Sequence, residues 1–133
     1  MPQTIELVLR LLLAAVMGAV IGAQREWSGK PAGLRTLALI SLGAALFAVI
    51  SQYGFTGGNP SMIAAQVVSG VGFLGAGAIL HNQNTVEGLT TAATVWVAAG
   101  VGLAVGSGFY LLSITVTVIG LIILFIPHIP PRK

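Results

Sequence analysis

Residues 62–80 read MIAAQVVSGVGFLGAGAIL, an apolar run that carries no charged side chain. A helix that spans a lipid bilayer needs about 20 consecutive, mostly apolar residues, and this run has that length. Within it, small residues recur every three or four positions, so a helix would gather them on one face: Ala65, Ser69, Gly72 and Ala76. Small residues let helix backbones approach closely in lipid. The stretch therefore predicts a membrane-spanning helix that packs through small side chains.

Four further apolar runs flank this one, separated by polar or Gly- and Pro-containing segments. Together they predict five spanning helices: Ile5–Ala23, Gly33–Ser51, Met62–Leu80, Gly88–Val105 and Gly108–Ile126. Of the 133 residues, 56% are hydrophobic and only 7% are charged, against roughly 25% charged residues in soluble domains. The expected fold is an all-α, polytopic membrane bundle that occupies residues 1–133 as a single domain. A four-helix alternative stays open, because the Gly106-Ser107 reversal before the last run is tight.

The basic side chains indicate an orientation, since short cytoplasmic loops are enriched in Lys and Arg. The first connection carries Arg25 and Lys30, with Arg35 just inside the next helix, and the chain ends in two basic residues. The second connection, residues 52–61, carries no charge. We therefore expect the N-terminus outside and the C-terminus in the cytoplasm.

Several functional classes need residues that this sequence does not supply. There is no cysteine, and His81 and His128 are too few and too far apart in sequence for a histidine-rich metal cage. The formal charge of +3 is too small and too scattered for a nucleic-acid-binding face. The sequence has no Ser/His/Asp set, no pair of intramembrane aspartates and no HExxH motif. We expect neither an enzyme nor a resident metal or cofactor.

Glycine is the most distinctive residue of the predicted helices. Gly18 and Gly22 form a GxxxG motif in the first helix, a spacing that supports close helix pairing in membranes. We expect a homodimer through this face, and helix-packing roles for the following glycines: Gly70, Gly72, Gly75, Gly77 and Gly102. The alternative is that glycine reflects the ordinary composition of membrane helices. The fifth helix, rich in bulky Ile and Val, is expected to lie against lipid.

A weak internal repeat is also present. Residues 33–38 (GLRTLA) and 88–93 (GLTTAA) match after a shift of 55 residues, which also aligns Gly22 with Gly77. The repeat predicts a duplicated helical hairpin related by an axis along the membrane normal. Chance similarity in a Gly- and Ala-rich chain is the alternative.

Arg10 is the one ionisable residue well inside a predicted span. Charged residues at such positions are functional candidates, because placing them in lipid is costly. Glu6 precedes Arg10 by four residues, so the two side chains can pair on one helix face. Two interpretations stay open: Arg10 reaches the outer headgroups with Glu6 as its counter-charge, or it faces the bundle interior.

A second charged cluster is expected at the opposite end, where the first and third helices end and the second and fourth begin. It comprises Arg25, Glu26, Lys30, Arg35 and Glu87. Helix N-termini favour anions, so this surface could hold an ion or a phosphate-bearing group. Arg35 lies where the helix dipole disfavours a cation, and we expect Glu26 or Glu87 to pair with it. Simple orientation-determining charge explains Arg25 and Lys30 equally well.

The motifs together resemble the MgtC/SapB family of bacterial inner-membrane proteins, over residues from about 6 to 125. The resemblance rests on these segments: Arg10-Leu11, Gly18-x3-Gly22, Arg25, Ala32-Gly33-Leu34-Arg35-Thr36, Gly43-Ala44, residues 66–77 (QVVSGVGFLGAG) and residues 88–93 (GLTTAA) with Trp96. The family's usual pattern after the first helix is Gly-x-Glu-Arg. Gln24 replaces that glutamate here, which removes one carboxylate from the charged cluster. Longer relatives carry a soluble C-terminal domain, which residues 1–133 do not include.

The resemblance implies adaptation to low magnesium, survival of pathogens inside host phagocytes and, for some members, action on the membrane-embedded ATP synthase. It also implies a modulator more than a demonstrated transporter. The leading hypothesis is therefore a regulatory protein of the lipid bilayer that works through helix contacts with itself and a membrane partner.

Two alternatives for the function stay open. The first is a channel or transporter for a small solute or ion, formed at the centre of the bundle or of an oligomer and lined by Arg10 and a layer of Gln66 and Thr94. The second is a module that binds a lipid headgroup or anion through Arg25 and Arg35. Gln66 and Thr90 are otherwise expected to form hydrogen bonds between helices.

Overall fold

The computed structural model describes residues 2–55, 57–82 and 85–127, with only the backbone considered for residues 80–87. Within these ranges the chain forms five helices: α1 (Thr4–Trp27), α2 (Leu34–Tyr53), α3 (Ser61–Gly77), α4 (Leu89–Gly106) and α5 (Tyr110–Leu124). Between α3 and α4, the strands β1 (Leu80–Asn82) and β2 (Thr85–Glu87) form a short antiparallel hairpin. The prediction of an all-α bundle with five helices is confirmed, and this small hairpin is added to it.

The helices differ in their ability to cross a bilayer unaided. By length and composition, α1, α2 and α4 can each span a membrane. The apolar helices α3 and α5 have 17 and 15 residues, fewer than the roughly 20 that a full span needs. A bilayer accommodates short helices by local thinning or by flanking side chains that reach the headgroups. The fold is therefore a membrane bundle with two short members.

The tight reversal between α4 and α5 is closed by backbone hydrogen bonds. Gly108 adopts a positive φ of 87°, a conformation that glycine reaches without strain. Its N–H donates to the Val105 carbonyl (3.0 Å), and the Phe109 N–H donates to the Ala104 carbonyl (2.8 Å). These bonds pair carbonyls at the end of α4, so a short connection is sufficient for two separate helices.

The centre of the bundle is formed by α1, α2 and α4, whose backbones touch at glycines of α1 and α4. Gly18 of α1 faces Leu37 and Ser41 of α2, and Gly102 of α4 faces the Ser41 carbonyl. A Cβ atom at either glycine would overlap the α2 backbone. The apolar side chains around these contacts are almost completely buried: Ala14, Ile21, Leu37, Ala45, Ala98, Val101 and Val105.

The GxxxG face of α1 is covered inside the chain. Gly22 lies against Gly33 and Leu34 at the start of α2, as Gly18 lies against the middle of that helix. The expectation of a homodimer through Gly18 and Gly22 is therefore wrong in its choice of face, because α2 occupies it. Self-association stays a prediction that requires another surface.

Helix α3 packs through a different face from the one expected. Its buried residues are Val67, Val71 and Gly75, and an added Cβ at Gly75 would approach the Ala92 carbonyl of α4. The structure thus uses the i, i+4, i+8 face that carries two valines. The small-residue stripe is exposed instead, and we call it the outer face of α3: Ala65, Ser69, Gly72 and Ala76.

The glycines of α3 separate accordingly. A Cβ atom added at Gly70, Gly72 or Gly77 would have no described neighbour within 4 Å, so these three pack against no other helix among the described residues. Gly22 contacts α2 whereas Gly77, its counterpart in the weak repeat, has open surroundings. Equivalent positions of the repeat are thus not packed alike, and the duplicated hairpin stays a prediction.

Helix α5 lies at the edge of the bundle, as expected. Its buried residues are Ser113 and Thr117, whose hydroxyls donate to the carbonyls of Tyr110 and Ser113 within the helix. The bulky side chains of α5 are mostly exposed. This pattern fits a helix with one narrow buried stripe and a broad face toward lipid.

Candidate functional site

Two buried arginines on α1 mark opposite ends of the bundle. Arg10 lies near the start of the helix and Arg25 near its end, about 22 Å apart at 1.5 Å per residue. Their exposed fractions are 6% and 4%. Burying a charge is costly unless it is paired and hydrogen-bonded, so the partners of each guanidinium determine what it can do.

Arg10 makes three hydrogen bonds to its own chain. Its Nε donates to Tyr110 Oη (2.9 Å), its Nη1 to the Gly106 carbonyl (2.9 Å) and its Nη2 to Glu6 Oε1 (3.3 Å). Tyr110 also donates to Glu6 Oε1 (3.1 Å). The Tyr53 and Tyr110 ring centres lie 5.9 and 5.8 Å from the guanidinium carbon, within cation–π range. Arg10 therefore faces the bundle interior and has its counter-charge in Glu6.

These contacts join the ends of four helices. Besides the α1 pair, they involve Tyr53 at the end of α2, Gly106 at the end of α4 and Tyr110 at the start of α5. Gln52 of α2 donates a further hydrogen bond to the Gly106 carbonyl (3.3 Å). A polar network whose members are paired rigidifies its surroundings. We call this group the Arg10 clamp, because its geometry suits holding helices together.

Arg25 has far fewer partners. Its Nη2 donates to Thr91 Oγ1 in the first turn of α4, and its buried Nε has no hydrogen-bond partner in the part of the chain that the structure describes. Among the side chains that the structure describes, no carboxylate oxygen lies within 4.0 Å of the guanidinium. The nearby start of α4 carries a positive partial charge. Arg25 is therefore a buried cation whose charge no described side chain neutralises.

Gln24, beside Arg25 in the sequence, is also buried and incompletely bonded. Its Nε2 donates to Ser28 Oγ (3.1 Å) and to the Leu124 carbonyl of α5 (3.4 Å), whereas its Oε1 has no partner. The amide thus connects the end of α1 to the end of α5. A glutamate at this position would lose both donated bonds.

The other described residues of the cluster predicted at this end, Glu26, Lys30 and Arg35, lie on the surface. Arg35 is exposed and forms no ion pair with any described side chain. The Glu26 carboxylate lies over Gly33, where an added Cβ would come within 2.6 Å of Oε1. Glu26 therefore does not pair with Arg35, and the pairing of Arg35 with the Glu87 side chain falls outside the described part of the chain.

Gln66 and Thr90 are not brought together with these charged groups. Gln66 is exposed and lines an apolar groove of about 500 Å³ between α2 and α3. Thr90 is exposed, and its carbonyl accepts a hydrogen bond from Thr94 one turn later (2.7 Å). Among the described residues, no hydrogen bond joins Gln66 to Thr94 or either of them to Arg10. A shared lining in an oligomer stays a prediction.

Sequence reasoning missed the tyrosines of the Arg10 clamp. Tyr53 and Tyr110 lie at predicted helix ends, where an aromatic ring with a polar tip is common at membrane interfaces. An arginine inside a span requires partners, and this requirement could have directed attention to both tyrosines. No comparable signal distinguishes Thr91 from the other hydroxyl residues of α4.

The described residues offer no cluster of three or more metal-ligating side chains. The fold and its buried charges instead define a class: a polytopic α-helical membrane protein with an internally bonded arginine at one end and an unneutralised arginine at the other. The model of the MgtC family matches residues 11–129. The chain belongs to the MgtC family.

Curated relatives agree with this assignment. The chain is 49% identical over 134 aligned positions to the protein named "Putative magnesium transporter YhiD" from Escherichia coli K12, covering 95% of this chain and 62% of that protein. It is 47% identical over 112 positions to the protein named "Protein MgtC" from Salmonella typhimurium LT2, covering 84% of this chain and 48% of that protein. The chain thus spans about half to three fifths of these relatives' lengths. No solved structure matches it.

Proposed function

We propose that this chain is a regulatory membrane protein that serves adaptation to low magnesium through lateral contacts of its helices. It would reside in the bacterial inner membrane with its N-terminus outside, as the distribution of basic residues favours. The printed name of the Escherichia coli K12 relative, "Putative magnesium transporter YhiD", connects that protein with magnesium. The observation that carries the proposal is the closed centre of the bundle.

Where the structure describes it, that centre is packed helix against helix. Gly18 and Gly102 bring α1 and α4 against the same segment of α2 around Ser41. At the level of these contacts helix backbone meets helix backbone, and the adjoining core residues are aliphatic. A solute pathway needs a polar or water-filled lining, so the packed centre favours action through the outer surfaces.

The two carboxylates whose side chains the structure describes, Glu6 and Glu26, also argue against a magnesium pathway. Mg²⁺ binds hard oxygen ligands and gives up its water reluctantly. The Glu6 carboxylate accepts hydrogen bonds from Arg10 and Tyr110, and the Glu26 carboxylate is exposed beside Gly33. Both lie near helix ends rather than at the middle of a span. Neither glutamate is placed to relay an ion through the membrane.

The outer face of α3 is the surface that we propose for lateral contact. It is exposed along the helix, and its small side chains would let a second helix approach closely. The exposed amide of Gln66 beside this face could hydrogen-bond across such a contact. The partner would be a second copy of the chain or another membrane protein, for which the family resemblance suggests the ATP synthase.

A flux measurement tests the regulatory proposal against transport. The purified chain is placed in liposomes that contain a magnesium-sensitive dye, with Arg10→Leu as the paired variant. We expect no magnesium flux above that of empty liposomes for either protein. If the parent shows saturable magnesium flux and Arg10→Leu abolishes it, the protein is a transporter and the regulatory proposal is wrong.

A second measurement tests the contact surface. Gly72→Leu on the outer face of α3 should weaken self-association in detergent at least tenfold, because the larger side chain separates the helices. Gly120→Leu is the matched control, since a Cβ at Gly120 of α5 also has open surroundings. An unchanged dimer constant for Gly72→Leu, measured by analytical ultracentrifugation, would contradict this face.

A further inference from the structure

Arg25 is placed where a cation is least easily tolerated. Its side chain is buried at the end of α1 and reaches Thr91 in the first turn of α4. That turn exposes the positive end of the α4 dipole, which favours an anion and disfavours a second positive charge. The hydrogen bond to Thr91 is neutral and supplies no counter-charge.

A second helix begins beside the same part of α1. Gly22, three residues before Arg25, packs against Gly33 and Leu34, where α2 starts. The starts of α2 and α4 therefore both lie near the end of α1 that carries Arg25. Two exposed cations, Lys30 and Arg35, follow on the connection and in the first turn of α2. Among the described side chains at this end, the three cations Arg25, Lys30 and Arg35 outnumber the one carboxylate, Glu26, which lies over Gly33.

The buried guanidinium also retains an unused donor. Arg25 Nε is inaccessible to solvent and has no partner among the described residues, whereas the equivalent atom of Arg10 donates to Tyr110. Leaving a buried donor without a partner costs about 1–3 kcal/mol, more when the group is charged. An oxyanion would supply both a hydrogen-bond acceptor and a negative charge.

We propose that the end of α1 binds a phosphate-bearing anion, with the Arg25 guanidinium as its main contact and the start of α4 beside it. Phosphate oxygens match the planar donors of arginine, which bind such groups through two parallel hydrogen bonds. The anion is a lipid headgroup or free phosphate. This site is independent of the proposed regulatory function, which rests on the closed centre and the outer face of α3.

The test uses the purified full chain in a neutral maltoside detergent, stripped of phospholipid. Inorganic phosphate, short-chain phosphatidylglycerol and short-chain diacylglycerol are added separately, and the unfolding midpoint is followed by circular dichroism. Ligands that bind the folded state raise this midpoint. We expect phosphatidylglycerol to raise it by about 4 °C or more at saturation, and diacylglycerol, which lacks phosphate, to leave it unchanged.

Two variants assign the response to Arg25. Arg25→Met keeps a long apolar side chain and removes the charge, and Lys30→Met removes the same charge from an exposed position at the same end. The proposal requires that Arg25→Met lose the shift and Lys30→Met keep at least half of it. An equal shift in Arg25→Met and the parent would overturn it, as would no shift in the parent with either phosphate compound.

The inorganic arm distinguishes the two sources of the anion. A shift with phosphatidylglycerol alone assigns the site to a lipid headgroup, and a shift with both compounds assigns it to phosphate itself. Either result supports the site. The flux and self-association measurements do not involve this response, so a failure here leaves the regulatory proposal standing.

Glu87 provides the decisive internal alternative, because it directly precedes the turn that begins α4. If Glu87 neutralises Arg25, Glu87→Gln should create a phosphate response that the parent lacks, and the proposed site would fall. The proposal expects the same response in Glu87→Gln and the parent.

Should Arg25→Met fail to fold, ³¹P NMR of phosphatidylglycerol mixed with the parent protein tests whether the site binds phosphate. Line broadening that excess sulfate reverses supports the site. Unchanged lines overturn it.

Discussion

Arg10 and Arg25 occupy the same helix and are buried to nearly the same extent, yet their surroundings differ. Arg10 has a carboxylate, a phenol, a backbone carbonyl and two aromatic rings around it. Among the described residues, Arg25 has one hydroxyl as a partner, and its Nε has no acceptor. The difference separates a charge that stabilises the fold from a charge that is available to a ligand.

The comparison also shows why burial alone does not identify a functional arginine. A buried ion pair costs desolvation energy that its attraction and hydrogen bonds must offset. Arg10 obtains these from α1, α4 and α5. Arg25 lacks them among the described side chains, so its burial must be offset by something other than those side chains.

The largest effect on stability is expected at the close contact between α1 and α2, because the positions of both arginines depend on α1. Gly18→Leu together with Gly22→Leu would force α1 away from α2, because each glycine touches the α2 backbone or the residues that start it. Overpacking costs about 1–3 kcal/mol per site, so the pair should prevent stable folding. Size-exclusion chromatography should show aggregated protein. A folded variant with the parent's midpoint would contradict the observed packing.

A smaller effect is expected from Tyr110→Phe, which would leave Arg10, like Arg25, with an Nε that has no described hydrogen-bond acceptor. Tyr110→Phe keeps the aromatic ring but removes the hydroxyl that accepts from Arg10 Nε and donates to Glu6. The unpaired donor should lower the free energy of unfolding by about 1–3 kcal/mol. Chemical denaturation in detergent measures the change. An effect below about 0.5 kcal/mol would show that the tyrosine contributes only its ring.

Gln24→Glu addresses the other side of the comparison by restoring the carboxylate that the family resemblance leads one to expect. The new charge would lie in the same buried layer as Arg25 and partly neutralise it, so the phosphate response should weaken severalfold. The loss of donated bonds to Ser28 and Leu124 should cost about 1 kcal/mol. Titration with phosphatidylglycerol checks the first effect. A tighter response would contradict a positively charged site.

The smallest effect is expected at Arg35. Because its side chain is exposed and forms no described ion pair, Arg35→Lys should change the free energy of unfolding by less than about 0.5 kcal/mol. Thermal unfolding monitored by circular dichroism provides the measurement. A loss above about 1 kcal/mol would restore Arg35 as an organising residue and point to Glu87 as its partner.

The sequence was sufficient to predict the five helices but not to predict which face of each helix is buried. Apolar runs gave five helices, since length and composition alone determine which segments lipid accepts. The third helix carries both a valine face and a small-residue face, and spacing alone did not distinguish them. The GxxxG motif on α1 correctly indicated a close helix contact. Its partner was α2, because a motif that permits close approach does not specify which helix approaches.

The same limit applies to the candidate sites. The i, i+4 spacing of Glu6 and Arg10 predicted their pairing, because both lie on one helix. Tyr110 lies 100 residues from Arg10 along the chain, so only the folded bundle brings them together. At the other end, charge directed attention to Arg35, whereas the structure buries Arg25 and exposes Arg35.

The most direct test of the contrast is one substitution made at both ends. Arg10→Met and Arg25→Met remove the same charge and keep a side chain of similar length, and both are unfolded in phosphate-free detergent. We expect Arg10→Met to lose about 1–3 kcal/mol of stability, since it leaves the Arg10 clamp without its centre. Arg25→Met should be neutral or more stable, because it removes an unneutralised buried cation. An equal loss at both positions would contradict the account.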